Sequence, residues 1–257
     1  MPNVKSFVLQ PDEFLTTGKV VNKFLPLERA LNLLNSRKMW FANPREWTDP
    51  FERRFIDAIY AGGAKFAWKD RVYCSCFTNN ATSEASWNAY AKGDICIKLV
   101  LDRQELLNVL DNYLAANVHN QVYFDKVEYM QARNITKPLL KIPFSTPLTA
   151  GAKVTSMEFK ERLLLLKRKA FEYEDEYRAI IVKPKAAKTK GILVDIPNLH
   201  SLIKKIMIGP SVGDDTFSVL KDLFVNTYGF SLSDIERSDL YKKLPPVINT
   251  SNPQPPS

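Results

Sequence analysis

Apolar and polar positions follow two periods along the chain, and these periods predict its helices and strands. Apolar residues share one helical face after Pro26, at Leu27, Ala30, Leu31 and Leu34. The same spacing predicts further helices over 51–60, after Ser83, after Asp102, over 158–169 and over 214–228. Short apolar or alternating runs predict strands over 39–42, 71–78, 94–101, 121–130, 173–182, 191–196, 206–208 and 230–235.

The order of these elements predicts the fold class. Helices and strands are mixed without strict alternation, so we expect an α+β fold with mixed central β-sheets and flanking helices. The strand over 191–196 is expected to pair with the one over 173–182 across a lysine-rich loop. The segment 206–235 is expected to form a βαβ-like unit at a sheet edge.

The chain is predicted to form one domain. Its 257 residues are 45% hydrophobic and 25% charged, which is enough apolar material for one core without a metal or disulfide. We expect that domain over 21–240, after an N-terminal extension over 1–20. Several prolines and no clear period over 131–155 predict an irregular connection. The proline-rich segment 241–257 is expected to be a disordered tail.

The cysteines and the lack of long apolar runs predict a cytoplasmic protein. An odd number of cysteines, Cys74, Cys76 and Cys96, does not describe an extracellular disulfide framework. Cys74 and Cys76 lack the second pair that a zinc site needs, so buried thiols and no metal site are predicted. The sequence contains neither a run of 18 apolar residues nor a secretion signal, so no membrane association is expected.

The net charge predicts an anionic partner. At +8, with an isoelectric point near 9.2, the protein would attract phosphate-bearing partners such as a nucleotide or nucleic acid. Part of this charge lies at Lys183, Lys185, Lys188 and Lys190, in a segment with the composition of an exposed loop. Solvated lysines without a partner are the alternative interpretation of that loop.

Five short segments occur in a specific order. They are Lys23-Phe24; Trp40-Phe41-Ala42-Asn43-Pro44 with Asp49-Pro50-Phe51-Glu52; Cys76-Phe77-Thr78 with Trp87 and Tyr90-Ala91; Glu174-x-Glu176-Tyr177-Arg178; and Ile206-x-Ile208-Gly209. In this order, over about 23–236, they resemble the domain of unknown function 2971 family, which implies an uncharacterised, defence-related bacterial protein. The chain departs from the family pattern at Thr48, at Phe171 and in the turn after Ala91, which lacks the family's histidine.

Two glutamates are the leading candidates for chemistry. Glu174 and Glu176 are two apart on a predicted strand, so their side chains should share one face. Repulsion would raise the pKa of one carboxyl, which suits acid–base catalysis or contacts with sugar hydroxyls. Arg178, on the same face, could pair with Glu176. A solvent-facing surface paired with lysines is the alternative.

The segment order is also similar in layout to ADP-ribosyltransferase-like domains. That similarity implies NAD as cofactor and Glu176 as the carboxylate that holds the ribose and stabilises the cation formed when nicotinamide leaves. Lys23 or Tyr90 would be the early and stacking residues, and Ser75 or Thr78 would come from the middle strand. Trp40 and Trp87 are expected to line a cleft shared with Tyr90 and Glu176.

Two other functions stay open. A metal-dependent nuclease would gather Asp49, Glu52, Glu174 and Glu176 around Mg²⁺, although Asp49 is also placed to cap a helix beginning at Pro50. A non-catalytic partner-binding module would be favoured by exposed, fully paired glutamates. The predicted site residues are Glu176, Glu174 and Tyr90 for catalysis, and Lys23, Trp40, Asn43, Asp49, Glu52, Thr78, Trp87 and Arg178 for binding.

Overall fold

The computed structural model describes residues 4–5, 19–57, 70–80, 84–91, 95–134, 163–185 and 187–242. Its strands are β1 (Val20–Pro26), β2 (Lys38–Ala42), β3 (Val72–Thr78), β4 (Cys96–Asp102), β5 (Gln121–Lys126), β6 (Glu128–Met130), β7 (Leu166–Arg168), β8 (Glu176–Val182), β9 (Gly191–Asp195), β10 (Ile203–Ile208) and β11 (Ile235–Arg237). Its α-helices are α1 (Leu27–Ser36), α2 (Pro50–Asp57), α3 (Glu84–Ala91), α4 (Arg103–Ala116), α5 (Leu199–Leu202) and α6 (Asp214–Asn226). Short 3-10 helices span Pro44–Glu46, Lys169–Glu174 and Leu232–Asp234.

One large mixed sheet organises the described residues. Its strands run in the order β11-β10-β4-β1-β3-β2-β9, and β8 pairs with both β3 and β5. The pairs are antiparallel except β10 with β11, which are parallel. A separate parallel pair joins β6 to β7. Helices flank this sheet, so the α+β prediction is confirmed.

The sheet forks at β3, where β1 and β2 share the strand edge opposite β8. Only Asn22 of β1 pairs with β3, at Thr78, and only Ala42 of β2, at Cys74. Side chains bond the carbonyls that this fork leaves without a ladder partner. Asn43 Nδ2 donates to Val72 O (3.2 Å), Lys23 Nζ donates to Cys76 O (3.0 Å), and Asn22 Nδ2 donates to Thr78 O (3.3 Å).

The two faces of β3 and β8 carry different cores. On one face, Tyr73, Phe77, Tyr177 and Ile181 join the main hydrophobic core, which α1, α4 and α6 cover. The other face carries a smaller cluster of buried residues: Val72, Cys74, Tyr123, Leu164, Leu165, Ile180 and Val182. Because β8 is buried along its whole length, polar residues at its start are buried as well.

Several predicted elements are confirmed. Helix α1 follows Pro26 and buries Ala30, Leu33 and Leu34, and Asp102 Oδ1 caps α4 by accepting from the Glu105 amide at 3.0 Å. The predicted βαβ-like unit is β10-α6-β11, with β11 at the sheet edge. The last strand begins at Ile235, where the prediction has it end.

Four predictions of local structure are wrong. Of the helix predicted over 158–169, residues 158–162 lie outside the described residues, and 164–169 form a turn, β7 and the start of a 3-10 helix, because all of 163–166 is buried and no polar face exists there. The segment 121–130 forms two strands in different sheets. The strand predicted over 173–182 begins at Glu176, after Asp175 adopts a left-handed φ of 40°. Strand β9 pairs with β2 and not with β8.

The remaining predictions concern the chain ends, the connections and the cysteines. The tail beyond residue 242, Ser83 and 135–162 lie outside the described residues, as does most of 1–20, although Lys5 bonds the β5 backbone. Cys74 and Cys96 are buried free thiols, and Cys76 is half-buried. Among the described residues, no helix has the length and apolarity needed to cross a membrane.

Candidate functional site

Five charged side chains meet where β8 begins, and we call Glu52, Lys167, Glu174, Glu176 and Arg178 the ion cluster. The register of β3 with β8 sets Thr78 opposite Glu176 and Cys76 opposite Arg178. Helix α2 contributes Glu52, β7 contributes Lys167, and the 3-10 helix before β8 contributes Glu174. Each of the five is at most 9% exposed.

Arg178 lies at the centre of the ion cluster. Its Nε donates to Glu176 Oε1 at 2.8 Å, and its Nη2 donates to Glu176 Oε2 at 3.0 Å. The same Nη2 donates to Glu52 Oε1, and Nη1 donates to the Leu164 carbonyl. The guanidinium carbon also lies 4.4 Å from the centre of the Trp47 ring. These contacts on all three nitrogens hold the guanidinium in one orientation.

Lys167 joins the two predicted catalytic glutamates. Its Nζ lies 2.7 Å from Glu174 Oε2 and 2.8 Å from Glu176 Oε2. The cluster therefore contains three carboxylates against two cations. Although Glu174 is not on the strand, the left-handed residue Asp175 turns the chain so that both carboxylates reach the same ammonium. The alternative of a solvent-facing acidic pair is wrong, since Glu176 is 2% exposed.

The charges of the cluster decide its protonation. Burial disfavours ionisation of Glu176, but Arg178 and Lys167 outweigh it and lower its pKa to about 2. Burial raises the pKa of Glu174, and Lys167 only partly opposes that rise. Burial would also lower the pKa of Lys167, yet the neighbouring glutamates raise it above its usual value. Glu176 is thus an ionised carboxylate at neutral pH.

Two neutral side chains adjoin Glu176. Burial, followed by the charge of Glu176, raises the pKa of the Cys76 thiol well above its usual value. Burial, followed by the charge of Glu176, also raises the pKa of Tyr90. Neither group ionises near neutral pH, so neither supplies a nucleophilic anion. Each can donate a hydrogen bond.

Tyr90 links the ion cluster to a group of aromatic residues. Its ring stacks on Phe24 with centroids 5.8 Å apart, and Trp87 meets Phe24 edge-on at 4.9 Å. The Trp87 indole is 3% exposed and packs beside Cys96. Tyr90 therefore packs on an aromatic surface, and the charge of Glu176 acts on its hydroxyl.

Backbone contacts fix the turn that precedes Glu176. Thr78 Oγ1 donates to the Glu174 carbonyl, and the Asn80 amide donates to Thr78 Oγ1 at 2.9 Å. The Glu176 amide donates to the hydroxyl of Tyr129 at 2.9 Å. Lys126 Nζ pairs with Asp175 at 2.7 Å. Thr78, predicted as a binding residue, therefore supports this turn.

Three other predicted binding residues do not reach the ion cluster. Lys23 Nζ bonds Ser75 Oγ at 2.8 Å in the fork and lies 4.6 Å from the Phe77 ring centre, on the main-core side. Asn43 bonds Val72 in the same fork. Trp40 is 44% exposed on the outer face of β2, so the expected cleft shared by Trp40, Trp87, Tyr90 and Glu176 is wrong for Trp40.

Asp49 also has a structural role. Its Oδ1 accepts from the Phe51 amide at 2.9 Å, as a residue at the start of a helix does. It also pairs with Arg168, whose Nη2 lies 3.2 Å from Oδ1. Among the described residues, no group of three or more His, Cys, Asp or Glu side chains could hold a metal ion.

Two members of the site, Lys167 and Trp47, are not among the predicted site residues. Lys167 was placed in a charged helix, where it would have been one of several solvated cations. The four consecutive apolar residues 163–166 are a signal for a buried strand that could have revealed it. Trp47 stacks on Arg178 through a contact between chain segments far apart, and no local pattern predicts such a contact.

Comparison with known proteins identifies the central part of the chain. Residues 86–179 match the family described as "Protein of unknown function (DUF2971)". The matched span runs from α3 into β8 and contains Trp87, Tyr90, Lys167 and the motif 174–178, whereas the other motif segments lie outside it. No curated protein and no solved structure is significantly similar to the chain. Residues 86–179 are thus similar to the DUF2971 family, in agreement with the resemblance carried by the motif segments.

Proposed function

We propose that the protein binds a nucleotide at the ion cluster, with NAD as the first candidate and ADP-ribose transfer as the reaction. The observation that carries this proposal is Glu176, a buried carboxylate that the two hydrogen bonds from Arg178 and the one from Lys167 hold ionised, with its charge acting on the neutral hydroxyl of Tyr90. A nucleotide offers a ribose and phosphates to this combination of acid, phenol and cations. The positive net charge of the protein would favour its approach.

The proposed reaction places a developing positive charge near Glu176. The bond between C1′ of the ribose and nicotinamide breaks, its electron pair leaves with nicotinamide, and the ribose becomes cationic. An acceptor oxygen or nitrogen then bonds to C1′ and loses its proton to solvent. A fixed carboxylate in a buried site that excludes water stabilises such a cation more than water does. Tyr90, already stacked on Phe24, would pack against the nicotinamide.

Lys167 is the partner of Glu176 that a nucleotide could displace. Arg178 is fixed by contacts on three nitrogens, whereas Lys167 is a single ammonium on a flexible side chain. A pyrophosphate oxygen would replace Glu176 as the anion bound to Lys167. Glu176 Oε2 could then accept a hydrogen bond from a ribose hydroxyl.

The second candidate function is a non-catalytic partner-binding module. Each carboxylate oxygen of Glu176 already accepts a hydrogen bond from Arg178, and Oε2 accepts another from Lys167. This pairing meets one of the two conditions that favour such a module, whereas the burial of Glu174 and Glu176 does not meet the other, which is exposure. A nuclease receives less support, because each carboxylate of the proposed Mg²⁺ set already pairs with a lysine or an arginine.

The test combines binding with turnover. Wild-type protein is incubated with NAD, and nicotinamide release and the NAD-dependent rise in melting temperature are measured. Glu176→Gln removes the charge at the site, and Glu172→Gln is the matched control, since that side chain is 57% exposed on the preceding 3-10 helix. Tyr90→Phe removes only a hydroxyl and leaves the ion pairs intact.

We expect nicotinamide release by the wild type and by Glu172→Gln. Glu176→Gln should lower the rate by about 100-fold, which corresponds to one lost electrostatic contact in the transition state. Tyr90→Phe should retain the fold and weaken NAD binding. If folded wild-type protein shows no nicotinamide release and no melting shift with NAD, the proposal is contradicted. A melting shift without release would support nucleotide binding and contradict ADP-ribose transfer.

A further inference from the structure

The loop between β8 and β9 concentrates positive charge on a supported backbone. Within residues 183–190 the sequence has four lysines and no acidic residue. Lys185, Lys188 and Lys190 are exposed, and Lys183 is half-buried. None of the four has an ion-pair partner among the residues that the structure describes. We call these four side chains the lysine loop.

The buried residue Tyr73 holds this loop through hydrogen bonds. Its hydroxyl lies 2.9 Å from the Ala187 carbonyl and 3.1 Å from Thr189 Oγ1, while its ring is fully buried in β3. Backbone bonds add to this support, from the Lys183 amide to Arg71 O (2.8 Å) and from the Ala187 amide to Asp70 O (3.0 Å). These bonds hold the backbone of the loop in place between its two strands.

Asp70 supports the loop through its backbone carbonyl, while its carboxylate pairs with a residue outside the loop. Asp70, which accepts from the Ala187 amide, pairs through its carboxylate with Arg45. The other end of the loop is held by the Asn43 amide, which donates to the Lys190 carbonyl at 2.7 Å. The loop therefore presents four lysine side chains within eight residues, which suits binding to the closely spaced phosphates of a polyanion.

We propose that the lysine loop is a docking site for the phosphate backbone of a nucleic acid. A lipid surface is disfavoured as the partner, because the loop carries no aromatic or large aliphatic side chain for insertion into a membrane. The site is separate from the ion cluster, since the six-residue step along β8 from Glu176 to Val182 spans roughly 20 Å. It does not depend on the proposed nucleotide site.

The experiment measures fluorescence anisotropy of a labelled oligonucleotide of about 20 nucleotides between about 50 and 200 mM NaCl. The test variant carries Lys183→Gln, Lys185→Gln, Lys188→Gln and Lys190→Gln. The matched control replaces four exposed lysines elsewhere: Lys19→Gln, Lys169→Gln, Lys204→Gln and Lys242→Gln. Both variants lose the same net charge, so a difference in their affinity for the oligonucleotide depends on where the replaced lysines lie.

If the four lysines contact four phosphates, the slope of log affinity against log salt concentration should be smaller by about 3 in the loop variant. The affinity of the loop variant should also fall by at least about tenfold at low salt. The control should weaken binding by less than about threefold, because it leaves those contacts in place. Equal weakening of both variants would overturn the proposal, as would absence of wild-type binding at the lowest salt. Binding to vesicles containing phosphatidylserine without binding to the oligonucleotide would also overturn it.

Discussion

At the scale of single residues, burial turns ordinary surface residue types into structural or reactive ones. Lys23 illustrates this, because its side chain crosses the fork to bond a carbonyl that has no strand partner. Burial lowers the pKa of this amine to about 8, so the ammonium form persists at neutral pH. Glu176 shows the opposite case, in which two buried cations stabilise the charged form. In both residues, the environment sets a property that the residue type alone does not.

The depressed pKa of Glu176 predicts an acid-sensitive stability. A carboxyl with a folded pKa below its unfolded value contributes stability above the unfolded pKa, and that stability is lost as the pH falls through the folded pKa. The loss should therefore occur between about pH 4.5 and about pH 2. The contribution at pH 6 is about 3 kcal/mol, from a shift of roughly two pKa units.

Urea unfolding of wild type and Glu176→Gln at several pH values checks this prediction. The free energy of unfolding of the variant should be about 3 kcal/mol lower near pH 6, and the gap should narrow toward pH 3. Glu174, whose raised pKa acts in the opposite direction, is present in both proteins and so contributes less to the difference. A gap that stays constant with pH would show that Glu176 stabilises the fold through packing alone.

At the scale of elements, the fork at β3 explains why polar residues lie inside the sheet. A strand edge that faces two diverging neighbours keeps carbonyls that no ladder can satisfy. Asn22, Lys23 and Asn43 supply donors there, so these residues are buried for a backbone reason. The fork also leaves the other edge of β3 free to pair along its whole length with β8, which positions the ion cluster.

Asn43→Ala tests the fork. The substitution removes the bond from Nδ2 to Val72 O and the bond that Oδ1 accepts from the Arg45 amide at 3.0 Å. A buried carbonyl and the first amide of a short helix lose their partners, so we expect the free energy of unfolding to fall by about 2 kcal/mol.

Asn108→Ala is the control for this substitution, because its side chain makes exposed hydrogen bonds on α4. That variant should change the free energy of unfolding by less than about 0.5 kcal/mol. Chemical denaturation measures both proteins. A similar small effect at Asn43 would mean that water satisfies the carbonyl and that the fork does not depend on the amide.

At the scale of the whole molecule, strands from both ends of the described chain belong to one sheet. Strand β1 begins at Val20 and β11 ends at Arg237, and both are joined to β4 directly or through β10. The main core likewise takes residues from Val21 to Ile235. No subset of these strands can leave without exposing apolar surface of the others, which favours cooperative unfolding.

This topology predicts a single unfolding transition. Tryptophan fluorescence and far-ultraviolet circular dichroism should give coincident curves in urea, because Trp47 and Trp87 adjoin strands of the same sheet that dominates the dichroism. Two separated transitions would contradict the one-domain organisation. A protein lacking 243–257 serves as the control and should show the same coincidence.

The local chemistry of the sequence was enough to predict the α+β class, α1 after Pro26, the Asp102 cap and the β10-α6-β11 unit. Each of these depends on residues near one another in the chain, where spacing and capping act directly. The tertiary structure alone decided that β9 pairs with β2, that Lys167 lies on a buried strand, and that Trp40 is separate from Glu176. These outcomes depend on which strands meet and which faces are covered, and residues distant in sequence determine both.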